Sequence, residues 1–331
     1  MYAIDRLEEN VWQIILPKPT VHTLPFARPN AVYVLGGPHP ALINAGHPSQ
    51  YPTLCAALRE IGVEPAHITR IIATSWSLDA AGGLASFPQA DAFVYSPDMT
   101  RPSAYERWVQ SQRDAYAEVV RALAQRPAYA HVTDDALDAL LDAALPRVAE
   151  RLRFIPIRAG HVIAAGPLTL EVISTPGPDA GHIGLFEPTR RWLFSGDLTR
   201  DGIPDVIADV QTYLTSMERA LMLQPEVLLP TYGLVDHNGA YTLRRTLRFL
   251  NNFLSNAPLT MKNSPPDLVE FVERDLGFQP RDVLRFASTL MVYRAFLDEL
   301  VRTRIISAVG DGLGRRYGID LDENSRAEII Q

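Results

Sequence analysis

The stretch Ile71-Ile72-Ala73-Thr74-Ser75-Trp76-Ser77-Leu78-Asp79-Ala80-Ala81-Gly82-Gly83-Leu84 constrains the fold of this chain most. Its apolar start reads as a strand, a tight polar turn follows, and Gly-Gly stands where a short helix should begin. A strand-to-helix junction of this kind gathers side chains at one edge of a sheet, where functional groups collect. Ser75, Ser77 and Asp79 are the polar groups it would present.

Around it the pattern alternates between strands and helices. Val11–Ile15, Ala31–Leu35 and Pro40–Gly46 read as strands, with a Gly36-Gly37-Pro38 turn between the last two. Pro52–Ile61 has apolar residues at helical spacing and stops at Gly62, while Ile68–Thr74 and Ala92–Tyr95 are again strand-like. From about residue 97 to 150 two amphipathic helices are expected, one with Tyr105, Trp108, Tyr116, Val120 and Leu123 on a face, the other with Leu137, Leu141 and Leu145. Strands resume at Phe154–Ile157, Val162–Ala164 and Leu168–Ile173. A hairpin then runs from His182–Phe186 into Trp192–Asp197, before a helix over Tyr213–Leu223 and a strand over Glu226–Pro230. Two strand-rich halves, each ending in helices, imply an α/β (α+β) fold of two sheets packed face to face with helices outside.

Four blocks in order resemble the metallo-β-lactamase superfamily. The opening stretch is similar to Thr-His-x-His-x-Asp-His-x-Gly-Gly, keeping Thr74, Asp79, Gly82 and Gly83 but placing Ser75, Ser77 and Ala80 at the three histidines. Thr175-Pro176-Gly177-Pro178-Asp179-Ala180-Gly181-His182 resembles Thr-Pro-Gly-His-Thr-x-Gly-His, with Pro178 at the ligand position and His182 at a histidine that is not a ligand in the family. Phe194-Ser195-Gly196-Asp197 keeps the bridging acid, and Pro230-Thr231-Tyr232-Gly233 places Tyr232 at the last histidine. Asn44 stands where the family's Leu-Ile-Asp-Thr-Gly has its acid. The resemblance covers about Asn30 to Gly233 and implies a four-layer αββα sandwich over residues 1–256, its helical insertion at about 97–150 either covering the site mouth or packing on the body.

A dinuclear zinc centre needs imidazoles and carboxylates converging within about 2.0–2.2 Å of each ion. By the resemblance only Asp79 and Asp197 remain of seven ligand positions. No metal cofactor is expected, and a single divalent cation at Asp79 and Asp197 is the alternative. The pocket is expected to be lined by Ser75, Ser77, Asp79, Asp197 and Tyr232, with Asn44, His22, His182 and His237 as further ligand-binding candidates. The two acids either share a proton and meet a cationic ligand or serve acid–base chemistry, or they hold adjacent turns through backbone amides. The remaining histidines, His39, His47, His67, His131 and His161, read as turn or surface residues.

Residues 257–331 form a second module. Helices are expected over Pro266–Leu276, Pro280–Ala287 and Leu290–Arg302, then a hairpin through Arg304–Val309 and Arg315–Ile319. This order resembles the small winged-helix-like domain that ends several hydrolases of the superfamily. Residues 241–331 carry a net charge of +1 and the rest of the chain −8. With −7 overall and no basic face, nucleic acid is not the expected partner. No apolar run reaches the roughly 18 residues of a membrane span, no secretory signal is visible, and one cysteine, Cys55, builds neither an internal disulfide nor a cysteine-rich metal site. Cytoplasmic residence follows as the expectation, with a small-molecule ligand and a second copy of the chain as the partners left open. The expected function is a hydrolase homologue without its zinc pair, serving as a metal-free ligand-binding or interaction protein. The alternative is an active hydrolase of an ester, thioester or lactone, using one weakly held cation or metal-free acid–base chemistry.

Overall fold

The computed structural model describes residues 1–19, 28–95, 102–130, 153–199, 209–261, 265–277 and 283–319, with positions 133, 135, 138 and 207. His22, His131 and the second expected insertion helix therefore lie outside the described residues, as do 278–282.

The first sheet follows chain order: β1 (Ala3–Glu8), β2 (Val11–Leu16), β3 (Asn30–Leu35), β4 (Ala41–Ile43), β5 (Arg70–Ala73), β6 (Asp91–Tyr95) and β7 (Arg153–Ile157). Its pairing is antiparallel up to β4 and parallel from there to β7, because α1 (Tyr51–Glu60), α2 (Leu78–Ala81) and α3 (Pro102–Ala124) supply crossovers. The second sheet comprises β8 (Val162–Ala165), β9 (Leu168–Ser174), β10 (Ile183–Glu187), β11 (Trp192–Gly196) and β12 (Val227–Pro230). Within it only β11 and β12 run parallel, joined through α4 (Val210–Met222).

Strand alternation builds the layers. Along β3, Ala31, Tyr33 and Leu35 enter one core with Leu170, Val172, Leu185 and Phe194 of the other sheet, while Val32 and Val34 enter a second core with α1 and α3. On the far side of the second sheet, Leu193 and Leu228 pack with Val210, Tyr213 and Met217 of α4 and with Leu243, Leu247 and Leu250 of α5 (Gly239–Asn256). Both sheets are thus buried on both faces, which gives the expected αββα sandwich. Strand β1 was not expected from the sequence: its residues are half-buried or exposed, as a sheet edge allows.

After α5 come α6 (Leu268–Leu276) and α7 (Val283–Arg302), then a hairpin of β13 (Ser307–Val309) and β14 (Arg316–Gly318). The helices expected over Pro280–Ala287 and Leu290–Arg302 are one helix from Val283. No Gly or Pro interrupts this stretch, so the Ser288-Thr289 pair does not break it. The helix α7 joins two cores, with Phe286, Leu290 and Leu297 packed beside α3 residues such as Val120 and Leu123, and with Val292 and Phe296 beside α4 and α5. Asp267 caps α6 in a capping box with Glu270 and pairs with Arg126 at 2.8 Å. Among the described residues no helix is long and apolar enough to cross a membrane.

A hydrogen-bonded pocket at the strand ends

Strands β5, β11 and β12 deliver the expected residues to one edge of the sandwich, and main-chain bonds stitch their loops together. Thr231 N–H donates to Gly196 O (3.0 Å), Ala31 N–H to Thr231 O (2.7 Å) and Ile183 N–H to Thr74 O (2.8 Å). Behind the last loop, Gln13 Nε2 donates to Tyr33 Oη (3.1 Å) and Gly233 O (3.2 Å), and Tyr33 Oη donates to Pro230 O (2.8 Å). These buried side chains fix the turn that carries Tyr232. Two glycines are required here. A Cβ on Gly83 would lie 2.3 Å from Ala45 O, and one on Gly196, at φ +56°, would lie 2.6 Å from His182 Nε2.

The residues at the altered positions bond to the acids that remain. Tyr232 Oη donates to Asp79 Oδ2 at 2.5 Å. Ser75 Oγ lies 3.2 Å from Asp197 Oδ2 and 2.9 Å from Ser77 Oγ, and the Ser77 N–H donates to Ser75 Oγ at 3.3 Å. With one proton on each hydroxyl, Ser77 donates to Ser75 and Ser75 to Asp197. Asp197 Oδ1 is buried with no partner among the described residues, so one acceptor is left for an incoming donor.

The other candidates have structural duties. Asn44, buried at φ +64°, accepts from Thr74 N–H (2.9 Å) and Thr74 Oγ1 (3.0 Å) and donates to Thr231 Oγ1 (3.3 Å), bracing two of the motif loops. His182 is fully buried, and burial lowers its pKa. Its Nε2 accepts from the Asp197 N–H at 2.9 Å, so the proton sits on Nδ1, which donates to Thr175 O at 2.9 Å. Both nitrogens are used, which leaves His182 no lone pair for a metal or for a serine proton. His237 is exposed and is carried back along β12, because its neighbour Asp236 bridges to Leu228 near the start of that strand. His47, expected at an ordinary turn, does cap one but is buried, and burial lowers its pKa to about 4.

Asp179 is a site residue that the sequence reading did not single out. Its Oδ1 accepts from Gly181 N–H (2.7 Å) and its Oδ2 from Trp76 N–H (3.2 Å), tying the second motif to the first. Burial pushes its carboxyl up to about 7; the two backbone donors oppose the shift and the charge of Asp197 adds to it. An acid inside a Pro/Gly turn was the visible signal, but its partner Trp76 lies far away in sequence.

Among the described residues no group of three or more His, Cys, Asp or Glu side chains is placed to hold a metal ion. Hydroxyls at Ser75, Ser77 and Tyr232, a methyl at Ala80 and a proline ring at 178 do not fit a zinc pair, which requires imidazole or thiolate donors beside the carboxylates.

Residues 25–232 match the family model of the metallo-beta-lactamase superfamily. A beta-lactamase-like protein 2 homolog of Caenorhabditis elegans is 25% identical over 231 residues, which span 70% of this chain and 63% of that protein. The acyl-coenzyme A thioesterase MBLAC2 of Gallus gallus is 30% identical over 113 residues, 33% of this chain and 40% of the thioesterase. The chain thus spans less than two thirds of the length of either relative. In fold, a metallo-beta-lactamase family protein of Thermus thermophilus superposes with a TM-score of 0.73 at 18% identity, covering 95% of this chain and all of that one. With a family match over more than half of its length and the same sandwich beneath it, the chain belongs to the metallo-β-lactamase superfamily.

Proposed function

We propose that this protein is a metal-free ligand-binding member of the superfamily, its pocket rebuilt as a hydroxyl–carboxylate network where relatives hold cations. The observation that carries this reading is the bond from Tyr232 Oη to Asp79 Oδ2 at 2.5 Å: the residue at a lost-ligand position donates to a retained acid. Ser75 repeats the pattern at Asp197. A cation neutralises carboxylates by charge, whereas these hydroxyls satisfy them by hydrogen bonding and leave the pocket negative. The unpartnered Asp197 Oδ1 then favours a small ligand that carries an N–H or O–H donor. Metal content of the purified protein, with turnover of an ester, thioester and lactone panel before and after adding Zn²⁺ or Mn²⁺, tests it. Substoichiometric metal and no metal-stimulated turnover are expected; a stoichiometric ion with metal-dependent turnover would end this reading.

A second reading, hydrolysis of a thioester or related acyl compound, is favoured by the partial similarity to acyl-coenzyme A thioesterases and by the near-neutral Asp179. Here the Asp179 carboxylate would take a proton from water as the water oxygen attacks the acyl carbon, and the thiol would leave with a proton returned from Asp179. Turnover in the presence of chelator, rising through about pH 7 and lost in Asp179→Asn, distinguishes this reading from simple binding.

A further inference from the structure

Away from that pocket, the outer face of α5 is basic in an acidic protein. From His237 to Pro266 the sequence holds no Asp or Glu but holds Arg244, Arg245, Arg248 and Lys262, while the chain as a whole stands at −7. Acids from Asp267 onward cancel this run, so the net charge of residues 241–331 conceals it. Helical geometry then concentrates it. Gly239, Leu243, Thr246, Leu247 and Leu250 are buried against the core, so Tyr241, Arg244, Arg245, Arg248, Phe249 and Asn252 share the opposite arc, about 140° wide and about 16 Å long.

These cations are not spent on the protein's own acids. Among the described residues Arg248 has no hydrogen-bond or ion-pair partner, and Arg244 has only a neutral one, Gln224 Oε1 at 3.0 Å. The adjacent acid Glu226 is taken by Arg191 at 3.6 Å, and on α4 the exposed Glu218 is followed by the exposed Arg219. Large apolar groups accompany the charges. Tyr241 is 64% exposed and Phe249 44%, and Met222, 82% exposed, ends α4 two residues before the Gln224 that holds Arg244.

The surface is the outside of a single helix and is convex, so it offers neither a groove for a peptide nor a channel for a nucleic-acid strand. A second copy stacked on it about a two-fold axis would set arginine against arginine. A layer of anionic headgroups meets both features at once, because phosphates and carboxylates pair with the guanidiniums while the protruding side chains sink between the lipids. We propose that the outer face of α5, with Met222 at its side, docks the protein on the surface of an anionic lipid bilayer. This is reversible adsorption and not spanning, in keeping with the lack, among the described residues, of a helix able to cross a membrane. Each arginine near such a surface strengthens binding about fivefold. The inference does not depend on what the strand-end pocket binds.

Co-sedimentation of the full chain with phosphatidylserine–phosphatidylcholine vesicles tests the proposal, with pure phosphatidylcholine vesicles as the uncharged control. Binding to the anionic vesicles alone is expected. It should fade as salt rises from about 0.01 M to about 1 M and the Debye length shrinks from roughly 30 Å to roughly 3 Å. The pair Arg244→Gln/Arg248→Gln should weaken it about 25-fold with the melting temperature nearly unchanged, and Arg244→Lys/Arg248→Lys should retain most of it. Methionine methyl spectra of the wild-type chain, on nanodiscs of the same lipids carrying a spin label, give a readout independent of the variants. Met222 should broaden before the buried Met217 and Met261. No binding at low salt, equal binding to the uncharged vesicles, glutamine variants that bind like the wild type, an unaffected Met222, or tighter capture by an oligouridylate than by the vesicles would each overturn the assignment.

Discussion

Replacing Tyr232 by Phe removes one oxygen, and with it the donor that Asp79 holds at 2.5 Å. Both partners are half-buried, so water replaces the lost bond only in part. A hydrogen bond to a charged group contributes about 1.5–3 kcal/mol, and partial exposure places this one near the lower end. For a chain of 331 residues the unfolding entropy is on the order of 0.7 kcal/mol per degree, so Tyr232→Phe should lower the melting temperature by about 2–3 °C. The single variant does not prove pairing, because deleting the hydroxyl also changes its hydration and its other surroundings. A double-mutant cycle with Asp79→Ala isolates the bond, since other contacts of Asp79 cancel. Urea unfolding of the four proteins should give a coupling of about 1–2 kcal/mol. Additivity within about 0.5 kcal/mol would refute the claim that Tyr232 satisfies Asp79 by hydrogen bonding.

Other expectations follow from the same geometry. Asp179 has a folded pKa of about 7 against an ordinary value of 3.8, so its protonated form adds stability that is fully present below about pH 4 and is lost as the pH rises through 7. Asp179→Asn should therefore flatten the fall in melting temperature between pH 5 and 8, and identical pH slopes for the two proteins would count against the shift. Gly196→Ala forces a Cβ to 2.6 Å from His182 at a positive φ and should cost about 2–3 kcal/mol in urea unfolding. His182→Ala strips both the Asp197 N–H and Thr175 of a partner and opens a cavity, a loss of about 2–4 kcal/mol by the same assay. Asp267→Ala removes a helix cap and the Arg126 pair together, about 1–2 kcal/mol, again read by urea unfolding.

How much of this was legible in the sequence depended on how local the cause was. Strands such as Asn30–Leu35 and Ile183–Glu187 are buried on both faces, so their unbroken apolar runs identified them. Strand β1, Ala-Ile-Asp-Arg-Leu-Glu, is held mainly by pairing to β2, and its polar residues concealed it. At the site, Asp79, Asp197, Ser75 and Tyr232 were found because they occupy motif positions in order. The pairing of Tyr232 with Asp79 rather than with Asp197 was not legible, since it depends on where β12 ends relative to β5. Asp179 went unnoticed because its raised pKa arises from burial and from Asp197, neither of which is visible in its own turn. Gln13 and Tyr33 read as ordinary strand residues, yet they fix the Tyr232 loop from more than 190 residues away in sequence.

The central claim is that Tyr232 and Ser75 have taken over, at Asp79 and Asp197, the role that cations play elsewhere in the superfamily. A crystal of the protein grown with excess Zn²⁺ and measured at the zinc absorption edge tests it directly. The account predicts no anomalous peak between Asp79 and Asp197, with the Tyr232 hydroxyl still on Asp79. A strong peak there, with that hydroxyl displaced, would contradict it.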